Sequence, residues 1–332
     1  MSPSIPTVPL NDKRAIPAIA FGTGSALFGK DATTAVVQAL EGGFSHIDTA
    51  QAYRNEESVG EALRQAFGKS YAPYEDEKID VEGQTLGSFR REDIWVTTKY
   101  GGSGNAEDAL DCSLEKLGLP SVDLYLIHQP RWAPDLLKTW SELESAHVHG
   151  KAKSIGVSNF SVNELKLLVE HGKVIPSVNQ IRFHPYNYHE NIQLLDYAKK
   201  HGIVIESYGG LTPITRLPGG KLDGVLEKVA KRLGPKVTPG QVIFNWIRAK
   251  GVVIVTTTSR EERIQEYLSI FDLPALTEDE IAAIDEAGKY PPAADTSLSN
   301  ESVAARYDVR WFTSLIVMLC IMGTVYQLTR FC

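Results

Sequence analysis

The sequence predicts an α/β protein of the (β/α)8 barrel class, with a C-terminal apolar tail as an added segment. Three observations carry this prediction. Short apolar, β-branched runs alternate with longer amphipathic stretches. The alternation repeats eight times, and eight strand-then-helix units with right-handed crossovers close a parallel barrel. A length of 332 residues is the usual size of one such barrel.

From the N-terminus, the candidate strands are Ala18–Phe21, Phe44–Ile47, Ile94–Thr97, Val122–Ile127, Ser154–Val157, Val178–Ile181, Val204–Glu206 and Val252–Val255. Between them, helical patterns cover Ala32–Glu41, Glu56–Phe67, Ala106–Leu117, Asp135–His147, Val162–His171, Ile192–His201 and Pro239–Ala249. Asp31, Ser161 and Thr238 supply start signals, the last with Pro239 at the first helical position. Gly42, Gly118, Gly150, Gly172, Gly202 and Gly251 follow helix ends, as helix stops often do. A doubly wound sheet is the alternative. It expects G-x-G-x-x-G after the first strand, and Gly22-Thr-Gly24 is only a near-match, with no helix opening at the right spacing. Two stretches exceed a minimal barrel. Gly68 to Arg91 is polar and acidic and reads as a surface loop. Tyr208 to Lys221 reads as a long loop after the seventh strand, at the face where barrel enzymes place their sites.

Composition narrows the function classes. A net charge of −7 without a Lys/Arg run argues against nucleic acid as a partner. Cys112, Cys320 and Cys332 are an odd number without metal-type spacing, which implies no metal site and a reducing compartment. The first residues lack the apolar core of a secretory signal, so the expected location is cytoplasmic. The expected domains are a barrel over 1–290, a linker over 291–310 rich in Pro, Ala and Ser at its start, and an apolar tail over 311–328. That tail holds 18 residues without a charge, close to the ~20 needed to cross a bilayer, so it is a candidate membrane anchor. Thr313, Ser314, Thr324 and Gln327 dilute it, and an apolar tail packed on the barrel is the alternative.

Ionisable residues fall at the C-terminal ends of three successive candidate strands. Asp48 ends the second, with Tyr53 five residues on; Lys99 ends the third and His128 the fourth. In a closed barrel these ends share one mouth. A tyrosine is a poor acid at its usual pKa near ~10, but an adjacent ammonium stabilises its phenolate. Asp48 would hold that ammonium, and His128 would hydrogen-bond a carbonyl oxygen. The set makes a general acid for a carbonyl that receives hydride. Taken singly, each residue is more simply a cap, a rim aromatic, a solvated end or a core imidazole. Their joint placement is what points to chemistry.

The stretch Gly43-Phe-Ser-His-Ile-Asp-Thr-Ala-Gln-Ala-Tyr53-Arg-Asn-Glu56 resembles the first signature of the aldo-keto reductases, and the likeness runs from about Thr7 to Gly288. Thr97-Thr-Lys99 and Asp123-Leu-Tyr-Leu-Ile-His128-Gln-Pro130 resemble the next two. The resemblance implies an NADP-dependent oxidoreductase that reduces a small aldehyde or ketone to the alcohol. Tyr53 would donate the proton, Lys99 tune it, Asp48 pair with Lys99 and His128 orient the carbonyl. It also implies cofactor contacts from Gly22 and Thr23 near the ribose, from Ser158, Asn159 and Gln180 to the nicotinamide carboxamide, and from Tyr208 by stacking on the ring. Without the other motifs, Gly156, Ser158 and Asn159 would read as a turn and helix cap.

The last element of the resemblance departs from the family pattern. Where a Lys usually helps clamp the 2′-phosphate of NADPH, this chain has Thr257; Thr258, Arg263 and Glu266 fit their positions, and Arg260 could replace the missing charge. NADPH is the expected cofactor, with NADH as an alternative donor. Gly24 stands where many members carry a bulky aromatic, which predicts a wider mouth; Phe28 and Trp132 are candidate substrate walls beside His128. The chain looks most like the yeast and fungal branch acting on conjugated diketones, keto-lactones and aldehydes, as a monomer or homodimer. A second reading is a cofactor-sensing regulatory subunit of a membrane partner, which the apolar tail would suit. A third is an isomerase or aldolase on the same barrel.

Overall fold

The structure is a computed structural model that describes residues 5–68 and 89–292. Most of the predicted polar loop between residues 68 and 91, nearly all of the linker and the whole 311–328 segment lie outside the described residues. Among the described residues, no helix is long and apolar enough to cross a membrane.

A short antiparallel hairpin, β1 (Thr7–Pro9) and β2 (Ala15–Pro17), precedes the barrel. The barrel strands are β3 (Ile19–Gly22), β4 (His46–Asp48), β5 (Trp95–Tyr100), β6 (Val122–Ile127), β7 (Ala152–Ser158), β8 (Val178–Arg182), β9 (Val204–Tyr208) and β10 (Val253–Thr256). They close in sequence order, with β10 pairing in parallel with both β9 and β3. All eight predicted strands are present, their ends shifted by a residue or two in most cases. β5 runs on to Tyr100, so Lys99 lies within the strand.

Helices alternate with the strands: α1 (Thr33–Glu41), α2 (Glu56–Phe67), α3 (Ala106–Leu117), α4 (Leu136–Val148), α5 (Val162–His171) and α6 (Tyr188–Lys200). After β9 come α7 (Thr212–Thr215), α8 (Lys221–Leu233) and α9 (Pro239–Ala249), and after β10 come α10 (Glu261–Leu268) and α11 (Glu278–Gly288). The predicted starts have local causes. Ser161 and Thr238 each accept from a first-turn amide while Glu164 and Gln241 reach back to the cap. Asp31 accepts from the Thr33 amide at 2.8 Å, one residue ahead of the cap position. The hairpin, α7, α8, α10 and α11 were not among the predicted elements, and α7 interrupts the stretch read as a long loop after the seventh strand.

Strand periodicity divides the core. On β6, Tyr125 and Ile127 pack outward under the helices, while Leu124 and Leu126 point into the barrel. Leu10 and Ile16 of the hairpin join that inner cluster with Trp95 and close the N-terminal end. Near it, Asp123 pairs with Arg14, Arg91 and Lys153. One end is therefore sealed by apolar packing and ion pairs, and the polar residues collect at the other.

Candidate active site

Lys99 is fully buried on β5, and its ammonium group spends all three hydrogens inside the barrel. It donates to Asp48 Oδ1 at 2.6 Å, to the Thr49 carbonyl at 2.9 Å and to the Tyr53 hydroxyl at 3.3 Å. A buried charge is tolerated only when so partnered. Tyr53 arrives on a 3-10 turn, Gln51–Tyr53, directly after β4. Arg54 follows in the left-handed region at φ 56°, which reverses the chain beside the phenol. Asn55 then ties this turn to the loop after β3 through the carbonyls of Thr23 and Leu27. The phenol, ammonium and carboxylate of the sequence prediction thus meet at one point.

His128 stands one residue beyond β6, with its ring edge-on to Tyr53 at a 5.4 Å centroid separation. Burial first, and then the Lys99 charge, hold its pKa well below the usual imidazole range. It is therefore neutral near pH 7 and able to donate one N–H to an incoming carbonyl oxygen. Trp132 packs edge-on against the same ring at 5.0 Å. Phe28 is half-buried in the loop after β3.

Gly24 corrects one expectation. A Cβ built there would lie 2.5 Å from Cζ of Tyr53 and under 3 Å from both adjacent ring carbons. The space a side chain would need is occupied by the phenol ring itself, so glycine serves close approach rather than a wider mouth.

The residues assigned to the nicotinamide end line the strands on the far side. Gly22 and Thr23 sit against Asp48, whose carbonyl accepts from the Thr23 amide at 2.9 Å. Ser158 Oγ donates to the Gln180 carbonyl at 2.8 Å. Asn159 adopts the left-handed region at φ 64°, which asparagine tolerates, and donates to the His128 carbonyl and Ser158 Oγ. Its Oδ1 accepts from the Tyr208 hydroxyl at 2.7 Å, so the ring and the amide assigned to one ligand already touch. Gln180 Nε2 donates to Asp48 Oδ2 at 2.8 Å and to Glu206 Oε2 at 3.0 Å. Glu206 is the polar residue that the sequence prediction passed over. It is fully buried, and burial together with the nearby Asp48 pushes its carboxyl up to about 8. Its signal was a carboxylate inside an apolar run, two residues and therefore one strand period before Tyr208.

A separate cavity of about 370 Å³ lies beyond the end of β10, lined by Leu211, Ile214, Arg260, Arg263, Glu266 and Tyr267 among others. Glu266 accepts from Thr238 Oγ1 at 2.7 Å, and Thr258 Oγ1 accepts from the Arg260 amide at 3.0 Å at the start of α10. The Thr257 hydroxyl is buried without a hydrogen-bond partner among the described residues. Two guanidinium groups beside an open cavity suit an anionic ligand such as a nucleotide phosphate. Among the described residues, no cluster has the make-up of a metal site.

Comparison with known proteins agrees with this geometry. Residues 18–289 match the model of the Aldo/keto reductase family. The chain is 35% identical over 288 residues to the NAD/NADP-dependent indole-3-acetaldehyde reductase of Schizosaccharomyces pombe, covering 82% of this chain and 91% of that one. It is 32% identical to the NADPH-dependent alpha-keto amide reductase of Saccharomyces cerevisiae, over 84% of this chain and 89% of that one. Among solved structures, the Bombyx mori aldo-keto reductase in complex with NADP superposes with a TM-score of 0.73 at 30% identity, covering 89% of this chain and 97% of that one. With its closed parallel barrel, its buried lysine joining an aspartate to a tyrosine, and these relatives, the chain belongs to the aldo/keto reductase family and is an oxidoreductase of aldehydes and ketones.

Proposed function

We propose that this protein reduces a small aldehyde or ketone to its alcohol with Tyr53 as the proton donor and NADPH as the reductant. The observation that carries the assignment is the Lys99 ammonium bonded at once to Asp48 and to the Tyr53 hydroxyl. Bound NADPH supplies the hydride that reaches the carbonyl carbon. His128, neutral and buried, donates a hydrogen bond to the carbonyl oxygen and holds it beside the phenol. Tyr53 gives its proton to that oxygen as charge develops there, and Lys99 stabilises the phenolate left behind. Asp48 keeps the ammonium in place. Ser158, Asn159, Gln180 and Tyr208 would hold the nicotinamide end of the cofactor, and Thr257, Thr258, Arg263 and Glu266 its adenosine phosphate end.

The relatives' names include an indole-3-acetaldehyde reductase, a D/L-glyceraldehyde reductase and an alpha-keto amide reductase, so the preference for a diketone or keto-lactone rests on the fungal and yeast resemblance. Trp132 and Phe28 would form the walls of that site. Replacement of Tyr53 by Phe keeps the ring and removes the acid. It should lower carbonyl-dependent NADPH oxidation by roughly 10²- to 10⁴-fold while leaving NADPH binding in place. A wild-type rate from Tyr53→Phe across a panel of aldehydes, diketones and keto-lactones, run with NADPH and NADH in parallel, would overturn the assignment.

A further inference from the structure

Glu206 has no part in the reduction as derived above, yet it sits in the middle of the polar layer. It lies on β9 in direct register with Gln180 of β8, and Val253 of β10 stands opposite it on the other side. The charged groups that face it across the barrel are Asp48 of β4 and Lys99 of β5. The amide nitrogen of Gln180 carries two hydrogens, and two carboxyl groups take them: Asp48 at 2.8 Å and Glu206 at 3.0 Å. The flipped amide would set its oxygen against the acceptor-only Asp48 carboxylate, so the nitrogen is the end that points to these neighbours.

We propose that Glu206 is a positioning residue which, with Asp48, locks the Gln180 amide so that only its carbonyl oxygen is left to accept a hydrogen bond from the nicotinamide carboxamide. The inference rests on Gln180 being a cofactor contact. Two further observations fit it. Oε1 of Glu206 is buried without a hydrogen-bond partner among the described residues, so the carboxyl is held there by its single bond to Gln180. Burial beside Asp48 also keeps Glu206 neutral at pH 7, so the layer carries the Asp48–Lys99 pair without an added charge. With the proton of the neutral acid on Oε1, Oε2 accepts from Gln180 as it does in the carboxylate.

The test compares two ligands by fluorescence or calorimetric titration of the full chain. NADPH engages the nicotinamide end, whereas 2′,5′-ADP engages only the adenosine phosphate end. Glu206→Met removes the acceptor at similar volume and should weaken NADPH binding about three- to tenfold, with 2′,5′-ADP affinity unchanged. Glu206→Asp shortens the reach while keeping the carboxyl; it should weaken NADPH binding in the same direction and serves if the Met variant does not fold. Glu206→Gln retains an acceptor and should restore wild-type affinity at pH 7. Unchanged NADPH affinity in the Met or Asp variant overturns the proposal, and so does an equal loss for both ligands, which marks a general effect on the barrel. Failure of the wild-type chain to bind NADPH would instead undo the cofactor reading on which the proposal stands.

Discussion

At Gly24 the backbone approaches the Tyr53 ring so closely that even a methyl group would collide with it, the nearest ring carbon lying at 2.5 Å. Either the phenol or the loop after β3 must move to admit a side chain. Asn55 and the Gly29 amide, which donates to the Tyr53 carbonyl at 2.8 Å, both restrain that loop. The ring is therefore the part expected to shift. Gly24→Ala should lower kcat at saturating NADPH by roughly 10- to 100-fold, because a displacement near 1 Å misaligns the acid. Steady-state kinetics alongside a thermal melt would check this. A normal kcat would mean that the loop yields instead. The sequence marked Gly24 by its position in a motif, but not which atom fills the space in front of it, since that atom belongs to a turn some thirty residues away.

At the scale of elements, the end of β10 and the start of α10 form one cation-bearing edge of the cavity proposed for the adenosine phosphate end. Arg260 and Arg263 lie one turn apart, and Arg263 leans toward the Tyr267 hydroxyl at 3.4 Å. A charge-assisted hydrogen bond to phosphate contributes about 1.5–3 kcal/mol. Arg263→Ala should therefore raise the KM for NADPH by roughly tenfold or more and barely change that for NADH, which lacks the 2′-phosphate. Parallel kinetics with the two cofactors decide it, and an equal effect on both would remove Arg263 from the phosphate site. The elements themselves were legible to very different degrees. α2, α3, α5 and α9 have the bounds that the sequence implies, because caps, glycines and apolar period agree there. The weakly apolar α8 and α10 were hidden within loop-like, charged stretches. Their helical state depends on the barrel wall that covers Leu222, Leu226, Ile264 and Leu268.

For the whole molecule, buried titratable groups set the pH window of stability. Burial holds His46 at about 3 and His184 at about 4 in the fold, against 6.5 when exposed. Their folded values are depressed, so the stability they carry is complete above pH 6.5. It is lost as pH falls from there toward the folded values, at about 1.4 kcal/mol per pH unit for each. His128 acts in the same direction. Glu206 is raised to about 8 from 4.5, so its contribution is complete below pH 4.5 and is lost as pH climbs from there through 8. Above pH 6.5 only Glu206, of these groups, still changes stability. Melting temperatures across pH 5 to 8.5 should fall on both sides of a maximum near pH 6.5. Glu206→Gln should flatten the alkaline side and steepen the acid side, because the Glu206 contribution already declines from pH 4.5 upward; an alkaline fall that persists in this variant would contradict the linkage.

The amino-acid order alone determined the barrel, its strand count and the polar residues Asp48, Tyr53 and Lys99 that meet at its mouth. Strand and helix periods are local properties, and charged residues at the ends of apolar strands stand out against them. Tertiary structure decided what distance along the chain conceals. It put Glu206 in register with Gln180, placed Gly24 on the face of Tyr53 and turned the Asn159 amide toward Tyr208. Each of these pairings joins residues from different strands or loops, and only closure of the cylinder brings such residues within hydrogen-bond or van der Waals range.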